Sequence, residues 1–354
     1  MRKSLIAAVA MAGVLLAAAP ASASASPHLS LPAPTGPFAV GVHDEHLVDA
    51  ARPDPWHPEQ SRELMVSVRY PTLASHGRTR QYATAAESTL ALTAYEVPGP
   101  KDVLTTVPTR SLVDAPIVAP WRLPTVLLSP GYGAGRWSLT SLAEDLASRG
   151  YLVVTIDHNY EAFGITFPDG HTTDCDSCLG DDGPKVVRGR GADASFVLDS
   201  LLPRWPIDPA RIAMAGHSIG GAAAAYAMAL DPRIKAGINM DGSFQIPPTV
   251  DRAFLMLGTT GGHPRGAGTD WDTAWNGLGG WRRWLTVDGA AHMSFGDTAV
   301  LAGQLGLPDP EQTITGERAV ALTRGLVGAF LDRHLRGLPG FVLDHPPAGV
   351  TRWG

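Results

Sequence analysis

From residue 122 onward, the chain alternates between continuous apolar runs and segments with helical periodicity. LPTVLLSPG (123–131) and YLVVTIDH (151–158) resemble buried parallel strands, and SLTSLAEDLASRG (138–150) between them has helical spacing and ends in glycine. The alternation continues through ADASFVLDSLL, RIAMAGHS, IGGAAAAYAMAL, IKAGINMDG, AFLMLG, RRWLTVDGAAH and GERAVALTRGLVGAFLDRHLRG. Because such a chain winds into βαβ units, the sequence predicts an α/β fold with a mostly parallel central sheet and helices on both faces.

The chain before residue 122 has a weaker pattern. Residues 27–60 are rich in Pro, His and Asp and predict an irregular arm. ELMVSVRYPT (63–72) alternates like a strand, and a helix is expected within residues 82–96. Hydrophobic residues make up 44% of the chain and charged residues 18%, so it can bury a sizeable core.

The first residues have the pattern of an export signal. Arg2 and Lys3 precede an apolar stretch, Leu5–Ala19, which is followed by small residues at 20–25. A membrane-spanning helix needs about 20 apolar residues, more than this stretch provides. We therefore expect residues 1–25 to be a cleaved secretory signal peptide and the mature protein to be extracellular.

The rest of the chain is expected to form one domain, residues 26–354, because no clear linker or repeat divides it. This domain has an N-terminal extension over about 26–120 and a polar loop over about 159–187 that is predicted to flank the functional site. Cys175 and Cys178 lie in this loop, and in an oxidising compartment such a close pair favours a local disulfide over free thiols. A zinc site would need two more ligands, and a redox pair of this spacing would open a helix.

A G-x-S-x-G motif, Gly216 to Gly220, stands between the strand-like RIAMAG and the helical IGGAAAAYAMAL. This motif is typical of a strained strand-to-helix turn that exposes a nucleophilic serine, and its glycines avoid clashes with neighbouring backbone. The alternative is an ordinary packing turn. Since a strand precedes the motif and a helix follows it, we predict that Ser218 is a nucleophile.

A nucleophilic serine needs a histidine base near the end of a later strand. His292 follows RRWLTVDGAA and is the last histidine in a suitable loop, as the order serine, acid, histidine requires. His263, in a Gly- and Pro-containing loop, is the strongest competitor. We predict that His292 is the general base.

The acid that orients the base has two candidate positions. Asp241 ends the strand IKAGINM, directly after the helix that follows Ser218. Asp270 and Asp272 follow the next strand, AFLMLG, in a loop that often supplies the acid in α/β-hydrolases, but a dozen residues beyond the strand. Strand-end placement favours Asp241 and leaves the other two open.

The oxyanion of such a reaction is bound by two backbone N–H groups. One belongs to Ile219, the residue after the nucleophile, and the other to the loop after an early strand, LLSPGYGAG. There Tyr132, between two glycines, is our candidate donor. The alternative is an ordinary glycine turn.

These segments together resemble the platelet-activating factor acetylhydrolase family. The resemblance lies in GHSIGG, in the aspartate of NMDG, in GAAHMSFGD, and in RELMVSVRYPT and LLSPGYG earlier in the chain, and it covers roughly residues 35–336. It implies an α/β-hydrolase fold with Ser218, Asp241 and His292 as the triad and Tyr132 and Ile219 as oxyanion donors. It also implies calcium-independent hydrolysis, without a cofactor, of short or oxidised sn-2 acyl esters of phospholipids.

Two other functions stay open. One is the same chemistry on another ester, such as a triglyceride or a polyester like cutin, and the other is a binding protein on an inactive hydrolase fold. Four tryptophans could dock on a lipid or polymer surface, although such residues more often pack inside the protein: Trp271, Trp275, Trp281 and Trp284. The formal net charge of −6 and the lack of a Lys/Arg cluster do not favour nucleic acid as a partner.

Overall fold

A computed structural model of the protein describes residues 28–180 and 182–353; the expected signal peptide, residues 1–25, lies outside them. Its strands are β1 Ala39–Pro53, β2 Ser61–Thr72, β3 Ser111–Val113, β4 Leu123–Ser129, β5 Leu152–His158, β6 Ile165–Thr166, β7 Thr172–Thr173, β8 Ile207–His217, β9 Ile234–Met240, β10 Ala253–Thr259, β11 Arg282–Val287 and β12 Val350–Trp353. Its helices are α1 Ala85–Ala94, α2 Thr140–Ser148, α3 Gly183–Leu201, α4 Ile219–Leu230, α5 Asp270–Gly277, α6 Thr298–Gln304, α7 Gly316–Arg336 and α8 Phe341–Asp344.

Ten strands form one sheet in the order β12-β11-β10-β9-β8-β4-β5-β2-β1-β3. The six central strands, from β11 to β5, are parallel to their neighbours, whereas β12 and β2 pair antiparallel with the strands at either end of this group. The predicted α/β-hydrolase fold with a mostly parallel sheet is therefore confirmed.

The sheet has a hydrophobic core on each face, since its strands are buried on both sides. Along β4, Leu127 faces one core, together with side chains of α3 and α4. Its neighbours Val126 and Leu128 face the other core, which α2 and α7 cover. Burial on both faces explains why the central strands are continuous apolar runs in the sequence.

The predicted irregular arm at residues 27–60 is wrong, because residues 39–53 form the long strand β1. It pairs antiparallel with β2, from Ala39 opposite Thr72 to Asp49 opposite Arg62. Only a few of its apolar side chains are buried, and charged and polar side chains occupy much of the rest. A strand near the sheet edge tolerates this composition. The many charged and polar residues obscure the alternation of apolar side chains from which a strand is predicted.

The polar loop predicted over residues 159–187 is shorter, because α3 begins at Gly183. The Asp182 side chain caps this helix by accepting a hydrogen bond of 2.9 Å from the Lys185 N–H. Gly191 lies within α3, although glycine disfavours a helix in a sequence-based prediction. It is needed here because a Cβ atom would lie 2.6 Å from the Tyr226 ring on α4. The shortened loop contains the hairpin β6–β7 and the predicted disulfide between Cys175 and Cys178.

The tryptophans of the 271–284 segment belong mainly to the core. Trp271 and Trp284 are fully buried, and Trp275 is 8% exposed. These three side chains are therefore packing residues and are not available for surface docking. In the described part of the chain, none of the helices has the length and apolar character that crossing a membrane requires.

Candidate active site

Ser218 occupies the sharp turn between β8 and α4. Its backbone has φ 55° and ψ −129°, a strained conformation for a residue with a side chain. The turn is this tight only because its glycines have no side chains: a Cβ on Gly216 would lie 2.1 Å from the carbonyl carbon of Gly220. A Cβ on Gly220 would lie 2.2 Å from the Ser129 carbonyl oxygen on β4. The packing of two strands and a helix therefore fixes the position of Ser218.

The structure brings His292 and Asp241 to Ser218 from two later strand ends. The Nε2 atom of His292 lies 3.0 Å from Ser218 Oγ, and its Nδ1 atom lies 2.7 Å from Asp241 Oδ2. A carboxylate at Nδ1 favours a proton there, which leaves Nε2 free to accept the serine proton. The three side chains selected from the sequence thus form a continuous Ser–His–Asp chain.

Asp241 is held by the sheet on one side and by histidine on the other. It directly follows β9 in a left-handed conformation (φ 58°), and its backbone N–H donates to the Leu257 carbonyl over 2.8 Å. Its Oδ1 atom accepts a 2.7 Å hydrogen bond from the Thr259 N–H. Burial acts to raise the pKa of Asp241, but the hydrogen bond from His292 and other favourable contacts outweigh it, so the pKa is lowered. The carboxylate is therefore charged at neutral pH.

The two competing acids are engaged elsewhere. The Asp270 carboxylate accepts a hydrogen bond from the Phe244 N–H. Asp272 accepts hydrogen bonds from the N–H groups of Gly266 and Gly268, 2.9 and 2.8 Å long. Both residues thus order the segment at the start of α5.

His263, the competing base, lies on the far side of the Asp241 carboxylate. Its Nε2 atom is 3.6 Å from Asp241 Oδ1, and its ring stacks on Trp271 with 4.0 Å between ring centroids. Burial lowers the pKa of His263, so the ring is neutral near pH 7. His292, and not His263, is the histidine whose Nε2 atom accepts the hydrogen bond from the Ser218 hydroxyl.

His217, next to the nucleophile, has a role that the sequence did not reveal. Its ring is buried, and Nε2–H donates to the backbone carbonyl of His292 over 2.8 Å. Burial, with the nearby His292 ring, lowers the pKa of His217 to about 4. A neutral His217 therefore anchors the backbone of His292. The two residues are far apart in the sequence, so this contact could not be predicted before the fold was known.

The two candidate oxyanion donors lie beside Ser218. Ile219 is the first residue of α4, where backbone N–H groups have no partner within the helix. The loop that holds Tyr132 approaches from β4, and a Cβ on Gly131 would lie 3.5 Å from Ser218 Cβ. The Tyr132 hydroxyl donates to the carbonyl of Ser177, which connects this loop to the disulfide loop.

These residues line a cavity of about 920 Å³. Asp182, Gly183 and Val186, from the segment predicted to flank the site, form part of its wall. Further lining comes from residues that the sequence did not assign to the site, namely Ser243, Gln245, Thr259, Gly261, Gly262, Gly289, Ala290, Ala291, Glu311 and Thr313. Among the described residues that line it, none is Lys or Arg, whereas Asp182, Asp241 and Glu311 are acidic. The cavity thus combines the serine with a polar, acidic wall.

Comparisons with known proteins agree with this geometry. A family model described as PET hydrolase-like matches residues 112–245. The solved structure of a ferulic acid esterase from Streptomyces cinnamoneus has a TM-score of 0.84 and 40% sequence identity, covering 92% of this chain and 100% of that chain.

Two curated proteins match over shorter stretches. A probable 1-alkyl-2-acetylglycerophosphocholine esterase of Arthroderma benhamiae is 31% identical over 196 residues, 49% of each chain. The platelet-activating factor acetylhydrolase of Cavia porcellus is 21% identical over 249 residues, 60% of this chain and 56% of that protein. The chain spans about half the length of these two relatives.

These matches confirm the resemblance to platelet-activating factor acetylhydrolases that the motifs indicated. The chain belongs to the α/β-hydrolase superfamily, in the same family as the ferulic acid esterase of Streptomyces cinnamoneus.

Proposed function

We propose that this protein is a serine carboxylic-ester hydrolase with Ser218 as nucleophile, His292 as general base and Asp241 as the acid that orients it. The observation that carries the proposal is the hydrogen-bonded chain from Ser218 Oγ through His292 to Asp241, 3.0 and 2.7 Å long. It lies in a cavity large enough for a small ester and on a strained turn that exposes the serine.

In the acylation step, Ser218 Oγ attacks the ester carbonyl carbon while His292 Nε2 takes the hydroxyl proton. The carbonyl oxygen becomes an oxyanion, which the N–H groups of Ile219 and Tyr132 stabilise. The C–O bond to the leaving alcohol then breaks, and His292 gives its proton to that alcohol. Asp241 stabilises the imidazolium through the Nδ1–H bond.

In the deacylation step, water replaces the alcohol. His292 takes a proton from the water as its oxygen attacks the acyl-serine carbonyl, and the same two N–H groups bind the second oxyanion. Collapse of this intermediate returns the proton to Ser218 and releases a carboxylic acid. The acidic wall of the cavity repels the carboxylate product and so favours its departure.

For the substrate, we propose short acyl esters of small molecules, including short or oxidised sn-2 acyl esters of phospholipids. The relatives named 1-alkyl-2-acetylglycerophosphocholine esterase and platelet-activating factor acetylhydrolase support this class. The ferulic acid esterase neighbour extends it to esters of an aromatic acid.

A second candidate substrate is a polyester, which the match to the PET hydrolase-like family model favours. An enzyme that cleaves a polymer must bind several ester units along its surface, whereas an enzyme for small esters needs only the cavity. Release of soluble products from a polyester film separates the two candidates.

We also propose that the mature protein works outside the cytoplasm. The disulfide between Cys175 and Cys178 supports an oxidising compartment. Mass spectrometry of the protein recovered from the culture medium tests this, and a mass that includes residues 1–25 would contradict cleavage.

The first experiment measures hydrolysis of p-nitrophenyl acetate, butyrate and palmitate, methyl ferulate, and a 2-acetyl phospholipid. Wild type and Ser218→Ala are assayed side by side, and a fluorophosphonate probe labels the nucleophile. We expect rapid cleavage of the short esters, slow cleavage of palmitate, and no labelling or hydrolysis by Ser218→Ala. Absence of hydrolysis by the wild type on every ester would overturn the proposal and favour a binding protein.

A further inference from the structure

The loop that holds Tyr132, residues 129–133, is held in place by hydrogen bonds from a buried arginine. Arg190, on α3, is fully buried, and its Nη1 atom donates to the Pro130 carbonyl over 2.5 Å and to Ser129 Oγ over 3.3 Å. Its Nε atom donates to Glu161 Oε2 over 2.7 Å. Such charge-assisted bonds are among the stronger ones in a protein, and they are stronger still away from water.

Glu161 also holds the other end of the same loop. Its backbone carbonyl accepts a 3.0 Å hydrogen bond from the Gly133 N–H, and the Gly133 carbonyl accepts one of 2.9 Å from Phe163 N–H. The residues before and after the Gly131–Tyr132 pair are thus both attached to Glu161, one through Arg190 and one directly.

The Pro130 carbonyl has little room to move. On the side of the turn between β8 and α4 it faces Gly220, where a Cβ would lie 2.6 Å from the carbonyl oxygen. On the other side it accepts the bond from Arg190. Rotation of the Pro130–Gly131 peptide would therefore break a buried bond to a charged group, which costs free energy.

We propose that Arg190, held by Glu161, is a positioning residue of this reaction: it fixes the Pro130–Gly131 peptide and so directs the next N–H, that of Tyr132, at the oxyanion. This inference rests on the proposed function. It adds a residue that touches no substrate and lies behind the cavity wall.

The chemistry of the side chain explains why an arginine is needed. Its planar fork presents Nε to Glu161 and Nη1 to Pro130 at the same time. A lysine presents a single nitrogen, which cannot occupy both places. Arg190→Lys therefore keeps the buried positive charge but loosens one of the two contacts.

Arg62 provides a matched control within the same buried network. It is also fully buried, and it contacts Glu161, Asp54 and Asp193. Among the contacts that the described residues make, those of Arg62 include none with residues 129–133. Arg62→Lys thus disturbs the network without touching the oxyanion loop.

The experiment compares wild type, Arg190→Lys and Arg62→Lys for melting temperature, kcat, KM, and inhibition by a trifluoromethyl ketone, which forms a tetrahedral oxyanion adduct with a serine. Loss of one oxyanion donor costs about 10²- to 10³-fold in kcat, so a misdirected donor is expected to cost about 10- to 100-fold. We expect Arg190→Lys to lower kcat and inhibitor affinity by that factor with little change in KM. Arg62→Lys is expected to have a lower melting temperature, but its kcat and its inhibitor affinity should stay within about threefold of wild type.

Equal losses of kcat in the two lysine variants, or a wild-type kcat in Arg190→Lys, would overturn the inference. If Arg190→Lys does not fold, Glu161→Gln replaces it, because the amide oxygen still accepts from Arg190 but carries no charge. This variant is expected to lose about 3- to 10-fold in kcat and in inhibitor affinity, less than a lost donor; unchanged values would refute the role of Arg190. Ser218→Ala in the same assay tests the proposed function separately, since its full activity would reject the nucleophile whatever Arg190 does.

Discussion

The Oδ1 atom of Asp241 accepts a hydrogen bond of 2.7 Å from the backbone N–H of Thr259, on the neighbouring strand. This bond uses one carboxylate oxygen and leaves Oδ2 for Nδ1–H of His292. Thr259 and His292 are therefore both donors to this side chain, and a carboxylate accepts from the two through separate oxygens.

Asp241→Asn is predicted to be nearly inactive although it keeps the shape of the side chain. The amide has one oxygen for two donors, so its NH₂ group must face either Thr259 N–H or His292. In the first orientation two donors face each other. In the second, the NH₂ group donates to His292 Nδ1 and so favours the tautomer whose proton is on Nε2, which cannot accept the serine proton. In a triad this change costs about 10⁴-fold in kcat. Steady-state hydrolysis of p-nitrophenyl butyrate measures the loss.

Asp272→Asn is the control for this change, because Asp272 caps the start of α5 and accepts from Gly266 and Gly268. We expect a lower melting temperature and a kcat within a few fold of wild type. If Asp272→Asn and Asp241→Asn exchanged these behaviours, Asp241 would not be the acid.

The two histidines at Asp241 are predicted to differ sharply in importance. His292→Ala removes the group that contacts Ser218 Oγ, and we expect a loss of at least about 10³-fold in kcat. His263→Phe keeps the stacking on Trp271 and removes only the nitrogens of a neutral ring, of which Nε2 lies 3.6 Å from Asp241 Oδ1, so kcat should stay within about tenfold. Comparable losses in both variants would show that His263 takes part in proton transfer.

The central strands and the three strand-end residues could be predicted because their constraints are local. A strand buried on both faces must be a continuous apolar run, as β4 is, and the residues that follow parallel strands meet at one edge of the sheet. Ser218 and Asp241 stand directly after β8 and β9, so their proximity follows from chain order and topology alone.

The remaining site could not be predicted because long-range packing decides it. Glu311 reaches the cavity from a segment that does not directly follow a strand, and the predicted flanking loop did not show that Asp182, directly before α3, lines the cavity. The early start of α3 was hidden by its glycines, of which Gly191 is required only because Tyr226 packs against it. Likewise, the charged composition of β1 is explained by its place near the sheet edge, which the sequence alone does not show.

The acidic wall of the cavity is predicted to discriminate against anionic esters. p-Nitrophenyl hexanoate and the p-nitrophenyl monoester of adipic acid have the same chain length, but the second carries a terminal carboxylate that Asp182 and Glu311 repel. We expect kcat/KM to be at least about tenfold lower for the adipate, in keeping with the cost of bringing like charges together. Glu311→Gln should narrow the difference, and raising the ionic strength should do the same. Equal rates for the two esters would contradict this role of the wall.

Gly216 and Gly325 are predicted to respond to alanine in opposite ways. A Cβ on Gly216 meets backbone at 2.1 Å, so Gly216→Ala should destabilise the fold by about 1–3 kcal/mol and displace Ser218. A displacement of about 1 Å is enough to cost roughly 10²-fold in activity. Gly325 is exposed on α7, and apart from its chain neighbours and the nearby backbone of the helix nothing lies within 4 Å of such a Cβ, so Gly325→Ala should stabilise the protein by about 0.5–1 kcal/mol and leave kcat unchanged. Chemical denaturation and esterase assays on both variants check this, and a stable, active Gly216→Ala would show that the turn can relax.

Asp297 is predicted to make the stability of the protein depend on pH. This residue follows the His292 segment, is buried, and accepts hydrogen bonds from the Ser141 N–H (3.1 Å) and the Tyr82 hydroxyl (3.1 Å). Burial raises the pKa of Asp297 from 3.8 to about 7 in spite of these bonds. Between these two values the folded chain keeps a proton that the unfolded chain has released.

Because the folded state binds more protons in this range, its free energy of unfolding falls as the pH rises from about 4 to about 7 and is then constant with respect to this group. The full change is at most roughly 4 kcal/mol, since each pKa unit corresponds to about 1.4 kcal/mol. Asp297→Asn cannot ionise, and its amide can still accept from Ser141 and donate to the Tyr82 oxygen. Thermal unfolding of both proteins at pH 4.5, 6, 7.5 and 8.5 should therefore show the advantage of wild type over Asp297→Asn shrinking up to about pH 7 and levelling off above it. Parallel curves would mean that Asp297 is already ionised in the folded protein at low pH, and that Ser141 and Tyr82 stabilise the buried carboxylate fully.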